Sequence, residues 1–229
     1  MAATHLPVFC LCFVPCSSSS PSGGDPSQER NFTLEVATSS LSTLARFPWG
    51  SRSLSNNMDS QEITTLDPPL RLQLFEFEAC PFCRRVREAL TELDLSVEVY
   101  PCPKGSVRHR EMVKRFGGKE LFPFLIDPNT GRGLTLWEKA SPDPPPIKLE
   151  LYSYENNPYA RIVREALCEL ELPYILQNVG EGSLRSKLLE ASGSKEVPYL
   201  IDPNTGTHVG DYKKILSYLF KTYSAATLV

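Results

Sequence analysis

The chain has 229 residues, 41% of them hydrophobic and 22% charged, enough for one or two domains with cores of their own. Its 20 Pro and 13 Gly fall within the range of a folded chain and exclude a low-complexity polymer. With 24 Lys and Arg against 27 Asp and Glu, the formal net charge is -3, which argues against a generic nucleic-acid binder; no run approaches the ~18–20 apolar residues of a membrane-spanning helix.

Residues 1–60 read as an address rather than a fold. They hold 13 Ser, four Thr, three Arg and no Lys, and Ser17 to Gly24 has no usable periodicity. This composition is similar to a chloroplast transit peptide followed by a disordered leader. The rival is a secretory signal, because Leu6 to Cys16 is apolar. The lack of a basic residue before that run favours the plastid reading. Three of the seven cysteines (Cys10, Cys12, Cys16) lie in this segment, leaving Cys80, Cys83, Cys102 and Cys168. Four thiols without framework spacing indicate an intracellular or organellar redox setting.

The remainder contains an internal repeat. Residues 72–95 and 149–172 share 13 of 24 positions at an offset of 77. Ile-Asp-Pro-Asn-Thr-Gly then recurs at 126–131 and 201–206, at an offset of 75. Each copy reads strand, helix, strand, helix, strand. The first strand alternates around Leu72 and Leu74, and around Leu149 and Leu151. The helix that follows opens with Pro81 or Pro158, where the missing N–H is harmless. Val86, Ala89, Leu90 and Leu93 then fall at helical spacing, as do Val163, Ala166, Leu167 and Leu170. Second strands are predicted near 96–100 and 174–179, and second helices over 107–116 and 183–191. Third strands are predicted at 121–126 and 197–201, each followed by a hairpin turn. The second copy continues through an N-cap at Asp211 into a helix carrying Ile215, Leu216, Leu219, Phe220 and Tyr223. The first copy keeps a strand candidate at Leu134–Trp137. It then meets Pro142, Pro144, Pro145 and Pro146, which forbid an ordinary helix. The predicted units are 70–138, a Pro-rich linker at 139–146, and 147–223. Without its terminal helix, one sheet face of the first copy requires cover from the second copy or from another chain.

Cys80-Pro81-Phe82-Cys83 carries the chemistry. It follows a strand and begins a helix, where unpaired N–H groups and the macrodipole favour an anion. The two thiols are one helical turn apart, so the second can resolve a mixed disulfide on the first. Competing readings are a structural disulfide and a zinc site of Cys80, Cys83, Cys102 and His109, which offers only one close cysteine pair. The second copy reads Asn157-Pro158-Tyr159-Ala160 at the matching place and has no thiol there. Phe122-Pro123 and Val197-Pro198 precede the third strands, and either bond can be cis or trans. Cys168 and Trp137, Tyr152 and Tyr154 read as core, and Cys102 as a loop thiol.

Both copies resemble the thioredoxin superfamily, nearest to glutaredoxins and to the N-terminal domain of glutathione S-transferases. Tandem copies behind a plastid leader are similar to a group of plant chloroplast proteins. The resemblance implies two α/β, βαβαββα domains, the first lacking its last helix, with glutathione as co-substrate. It implies Cys80 as nucleophile and Cys83 as resolving thiol. It further implies Pro123 as the cis-proline, Phe122 pairing its backbone with glutathione, and Phe82 and Glu138 lining the same site. The cation that glutaredoxins carry shortly before the first cysteine is Phe77 here. The helical domain that completes a glutathione transferase is not found in the sequence, so a full transferase is not expected. Three functions follow. The first is a glutaredoxin-like thiol–disulfide oxidoreductase acting on glutathione or protein disulfides. The others are a non-catalytic glutathione- or protein-binding module and an iron–sulfur carrier. No resident metal is expected, and the anticipated assembly is a homodimer or a packed pair of repeats.

Overall fold

A computed structural model describes residues 31–54, 67–130, 145–191 and 196–224. Residues 139–144 of the expected linker, Trp137 and Glu138 lie outside the described residues, as do residues 1–30 and 55–60 of the leader.

Within the first repeat, strand β1 (Leu72–Glu76) leads to helix α2 (Pro81–Glu92), strand β2 (Val97–Pro101), helix α3 (His109–Gly117) and strand β3 (Phe124–Ile126). The second repeat gives β4 (Leu149–Ser153), α4 (Pro158–Glu169), β5 (Tyr174–Asn178), α5 (Ser186–Ala191), β6 (Tyr199–Asp202), β7 (Thr207–Gly210) and α6 (Tyr212–Tyr223). Helix α1 (Phe32–Leu44) precedes both. Among the described residues the first repeat has no counterpart of β7 and α6. The Asp211 side chain caps α6, accepting from the Lys213 N–H at 2.8 Å.

The strands do not divide into two sheets. They form one seven-stranded sheet in the order β3-β1-β2-β5-β4-β6-β7. Within each repeat the first two strands are parallel and the third is antiparallel to the first. The repeats join where β2 runs antiparallel to β5, with Val97, Glu98 and Val99 opposite Leu176, Ile175 and Tyr174. That pairing uses the free edge of each repeat and relates the two by an approximate two-fold axis through the sheet.

Strand alternation sorts the core. Leu74, Val97 and Val99 join Leu149, Leu151, Leu176 and Leu200 beneath α2, α4 and α6 in one cluster shared by both repeats. On the opposite face Phe75, Tyr100 and Cys102 pack on Val113 of α3, and Tyr152, Val179 and Tyr199 on Leu189 of α5. Tyr152 is therefore core, whereas Tyr154 is only half-buried. The shared cluster supplies the cover that the first repeat needs on the α2 side.

Residues 31–54 differ from the leader read off their composition, because they are packed. Asn31 caps α1 by accepting the Leu34 N–H, and the helix lies against α4. Ser39 Oγ donates to the Pro158 carbonyl at 2.7 Å, and Asn156 N–H donates to the Gly50 carbonyl at 3.0 Å. Gly50 has φ +72°, and an added Cβ would lie 2.9 Å from the Glu155 Cβ. Ser39 and Thr43 bond backbone carbonyls here, and Ser42 accepts from arginines, so a hydroxyl-rich composition is compatible with a packed segment.

The repeated Asp-Pro-Asn turn shows how far the repeats diverge. Asn129 clasps the backbone of Leu70, and Asn204 that of Ile147, by the same pair of bonds. Asp202, however, also accepts from the hydroxyls of Tyr218 and Tyr223, each at 2.5 Å, which ties α6 to β6. Burial opposes ionisation of Asp202, but the tyrosine and Asn204 bonds hold its carboxyl below the usual aspartate range. An aspartate with a depressed folded value stabilises fully above its unfolded value near 3.8 and loses that contribution as pH falls through the folded value. Asp202→Asn should therefore cost about 2–3 kcal/mol at pH 7 in urea unfolding. The gap to the unsubstituted chain should narrow steadily below pH ~4.

Candidate functional site

The residues that connect β1 to α2 are held from both sides. Cys80 is the N-cap of α2, in extended conformation, and Pro81 occupies the first helical position. Its Sγ accepts the Cys83 N–H at 3.3 Å, the bond that a capping oxygen ordinarily takes. In the second repeat Asn157 does this work for α4, accepting from the N–H groups of Tyr159 and Ala160, each at 2.9 Å. The thiol and the amide are thus alternative caps for the same helix start.

Cys80 is 5% exposed and Cys83 fully buried, whereas Phe82 is 67% exposed. Burial, with the contact to Cys80, pushes the Cys83 thiol far above its usual range. Phe122–Pro123 and Val197–Pro198 are both cis. Phe122 packs edge-on against Phe77, with ring centroids 5.7 Å apart. Cys102 is fully buried just after β2, with Sγ donating to the Tyr100 carbonyl at 3.4 Å. Cys168 is partly buried on α4, and burial pushes its thiol up to about 11. His109 Nδ1 lies 2.5 Å from the Pro101 carbonyl, and among the described residues no three His, Cys, Asp or Glu side chains converge as metal ligands.

One cation at the site was not legible in the sequence. Arg110 of α3 lies over the Phe122 ring at 4.8 Å and the Phe77 ring at 5.6 Å. Its Nε donates to the carbonyls of Cys102 and Pro103, and Glu120 lies 3.4 Å from Nη1. A positive charge thus lies over Phe77, carried by a helix residue 33 positions downstream. Nothing in the local pattern of α3 marks it, since an arginine on a short amphipathic helix ordinarily faces water.

Behind the cysteines lies a buried array of charges. Arg87 of α2 forks onto Glu155 of the other repeat, at 2.7 and 3.2 Å. Arg164 of α4 forks back onto Glu78, at 3.0 and 3.1 Å. Arg87 also pairs with Glu76 at the end of β1 in its own repeat. Ser42 of α1 accepts from both Arg84 and Arg161, which are equivalent in the repeat. Burial pushes the Glu78 carboxyl up to about 7 against the pull of Arg164, with Glu155 adding to the rise. Glu155 is equally buried, but Arg164 and Arg87 hold it below the usual range. Glu78 does not act on the thiol pair as an isolated charge; it belongs to this array. Arg84 contacts Glu88 at 3.3 Å.

The strand order within each repeat is that of a thioredoxin-like fold. The family model of the glutathione S-transferase N-terminal domain matches residues 74–135 and again 151–227. The chain belongs to that family. No curated protein and no solved structure gives a significant match.

Access and burial together set an order of thiol reactivity. Treatment of the native full chain with iodoacetamide at pH 7.5, read by peptide mass spectrometry, should leave Cys83 and Cys102 unlabelled. Both should become labelled in urea. Native labelling of Cys83 faster than Cys80 would contradict this geometry.

Proposed function

We propose that this chain is a glutaredoxin-like thiol–disulfide oxidoreductase using glutathione, with Cys80 as its nucleophile. The observation that carries the reading is the Cys80 sulfur at the first turn of α2, capping it, in a chain of the glutathione S-transferase N-terminal family. The Arg110 charge over Phe122 supports a site that seats an anionic thiol peptide.

In the reaction, the Cys80 thiolate attacks the glutathione sulfur of a mixed disulfide. A Cys80–glutathione disulfide forms, and the substrate leaves as a thiolate that takes up a proton. A second glutathione thiolate then attacks the glutathione sulfur on Cys80. Oxidised glutathione is released and the Cys80 thiolate is regenerated. The burial of Cys83 favours this second glutathione over Cys83 as the resolving thiol. The thiol-free start of α4 supports a binding rather than a catalytic role for the second repeat. The composition of residues 1–30 supports plastid import, with cleavage ahead of the packed helix α1.

The test is glutathione-dependent reduction of a glutathionylated peptide. Cys80→Ser should lose at least ~100-fold in rate, whereas Cys83→Ser should retain the rate within about threefold. Retained activity in Cys80→Ser would overturn Cys80 as the nucleophile, and absence of activity in the unsubstituted chain, with glutathione binding that survives Cys80→Ser, would leave the non-catalytic binding module as the reading of the whole chain. Loss in Cys83→Ser alone would restore Cys83 as the resolving thiol.

A further inference from the structure

The array between the repeats is symmetric except at one position. Arg87 and Arg164 are equivalent at the offset of 77, and each forks through Nε and Nη2 onto the glutamate of the other repeat. Each also donates through Nη2 to the carbonyl of its own repeat, Arg87 to Glu78 at 3.5 Å and Arg164 to Glu155 at 3.3 Å. The symmetry ends at Nη1. Arg87 Nη1 meets the carboxylate of Glu76, at the end of β1. The residue equivalent to Glu76 at the end of β4 is Ser153. Arg164 Nη1 and Ser153 Oγ have no hydrogen-bond partner among the described residues. Arg164 is 2% exposed and Ser153 fully buried.

We propose that Arg164 and Ser153 hold a small monovalent anion of chloride size in the position of the missing carboxylate. A buried guanidinium N–H without an acceptor is costly, and a buried hydroxyl adds to that cost. Both groups can donate, and Arg164 Nη1 can do nothing else. A halide accepts from both and brings no proton of its own. A water in the same place would bring two donors that need acceptors. The carboxylates nearest to Arg164, Glu78 and Glu155, bond its Nε and Nη2. In the first repeat the equivalent Nη1 already faces an anionic oxygen while Glu155 occupies the fork, so the fold accommodates an anion in this relation to a paired arginine.

The test uses the full chain, with sodium chloride and sodium gluconate compared at equal ionic strength and pH. The unsubstituted chain should unfold about 2–4 °C higher in chloride once chloride exceeds the site's Kd about fivefold. It should also broaden the ³⁵Cl resonance, and added bromide should relieve the broadening. Ser153→Glu restores the symmetric carboxylate and should remove both the salt difference and the broadening. Should that variant fail to fold, Ser153→Ala, which deletes one donor and adds no bulk, should weaken chloride about tenfold. Equal melting in the two salts with no excess broadening would overturn the proposal. A chloride effect that survives unchanged in Ser153→Glu or Ser153→Ala would overturn it equally, by placing the ion elsewhere.

Discussion

The crossed pairs Arg87–Glu155 and Arg164–Glu78 are the constraint on which the arrangement of this protein depends. All four side chains are nearly excluded from water, so each charge is tolerable only while its partner is present. Deleting one member of such a pair strands the other and typically costs ~3–5 kcal/mol. Each arginine contacts carboxylates of its own repeat, but its fork through Nε and Nη2 closes on the glutamate of the other repeat, so the charges of the two repeats form one array. The same reciprocity appears further along the joint. Ser183 of the second repeat donates to Asp94 at 2.6 Å, and Ser106 of the first donates to Glu171 at 3.3 Å. These serines and acids are equivalent pairs at the offset of 77. The joint is thus written twice, once in each direction.

This joint also places the reactive end of α2. Glu76 and Glu78 flank Phe77, and the Cys80 N–H donates to the Phe77 carbonyl at 3.0 Å. The segment between strand and thiol is therefore pinned through Arg87 and Arg164 before the helix begins. Helix α1 closes the outer side, with Ser42 bonded to both Arg84 and Arg161 and Arg46 paired with Glu88 at 2.5 Å. A residue on the axis that serves both repeats at once is an economical device, since one hydroxyl satisfies two guanidinium groups. The contacts that position the site come in good part from outside the first repeat.

Much of this was legible in the sequence, and for definable reasons. The offset of 77 and the helical spacing of Val86, Leu90 and Leu93 gave the elements their order. The proline after Cys80 placed the thiol at a helix start. The joint was not legible, because Arg87 and Arg164 read as the solvent face of an amphipathic helix, and only the β2–β5 pairing turns that face inward. Residues 31–54 were obscured by composition, since serine and arginine describe a leader and an interface equally well. Arg110 was hidden by distance along the chain. The repeat itself held one further clue: Glu76 and Ser153 differ where nearly all their partners agree, a difference without meaning until both are seen to be buried beside an arginine.

The claim that the two repeats form a single structural unit is tested most directly by native-state hydrogen exchange on the full chain across a range of urea below the unfolding transition. If the joint governs both halves, the amides of β1 and β2 and those of β4 and β5 should converge on one opening free energy as urea rises. If β1 and β2 open at a distinctly lower free energy while β4 and β5 stay protected, the repeats are separable domains and the crossed pairs are not the constraint assigned to them.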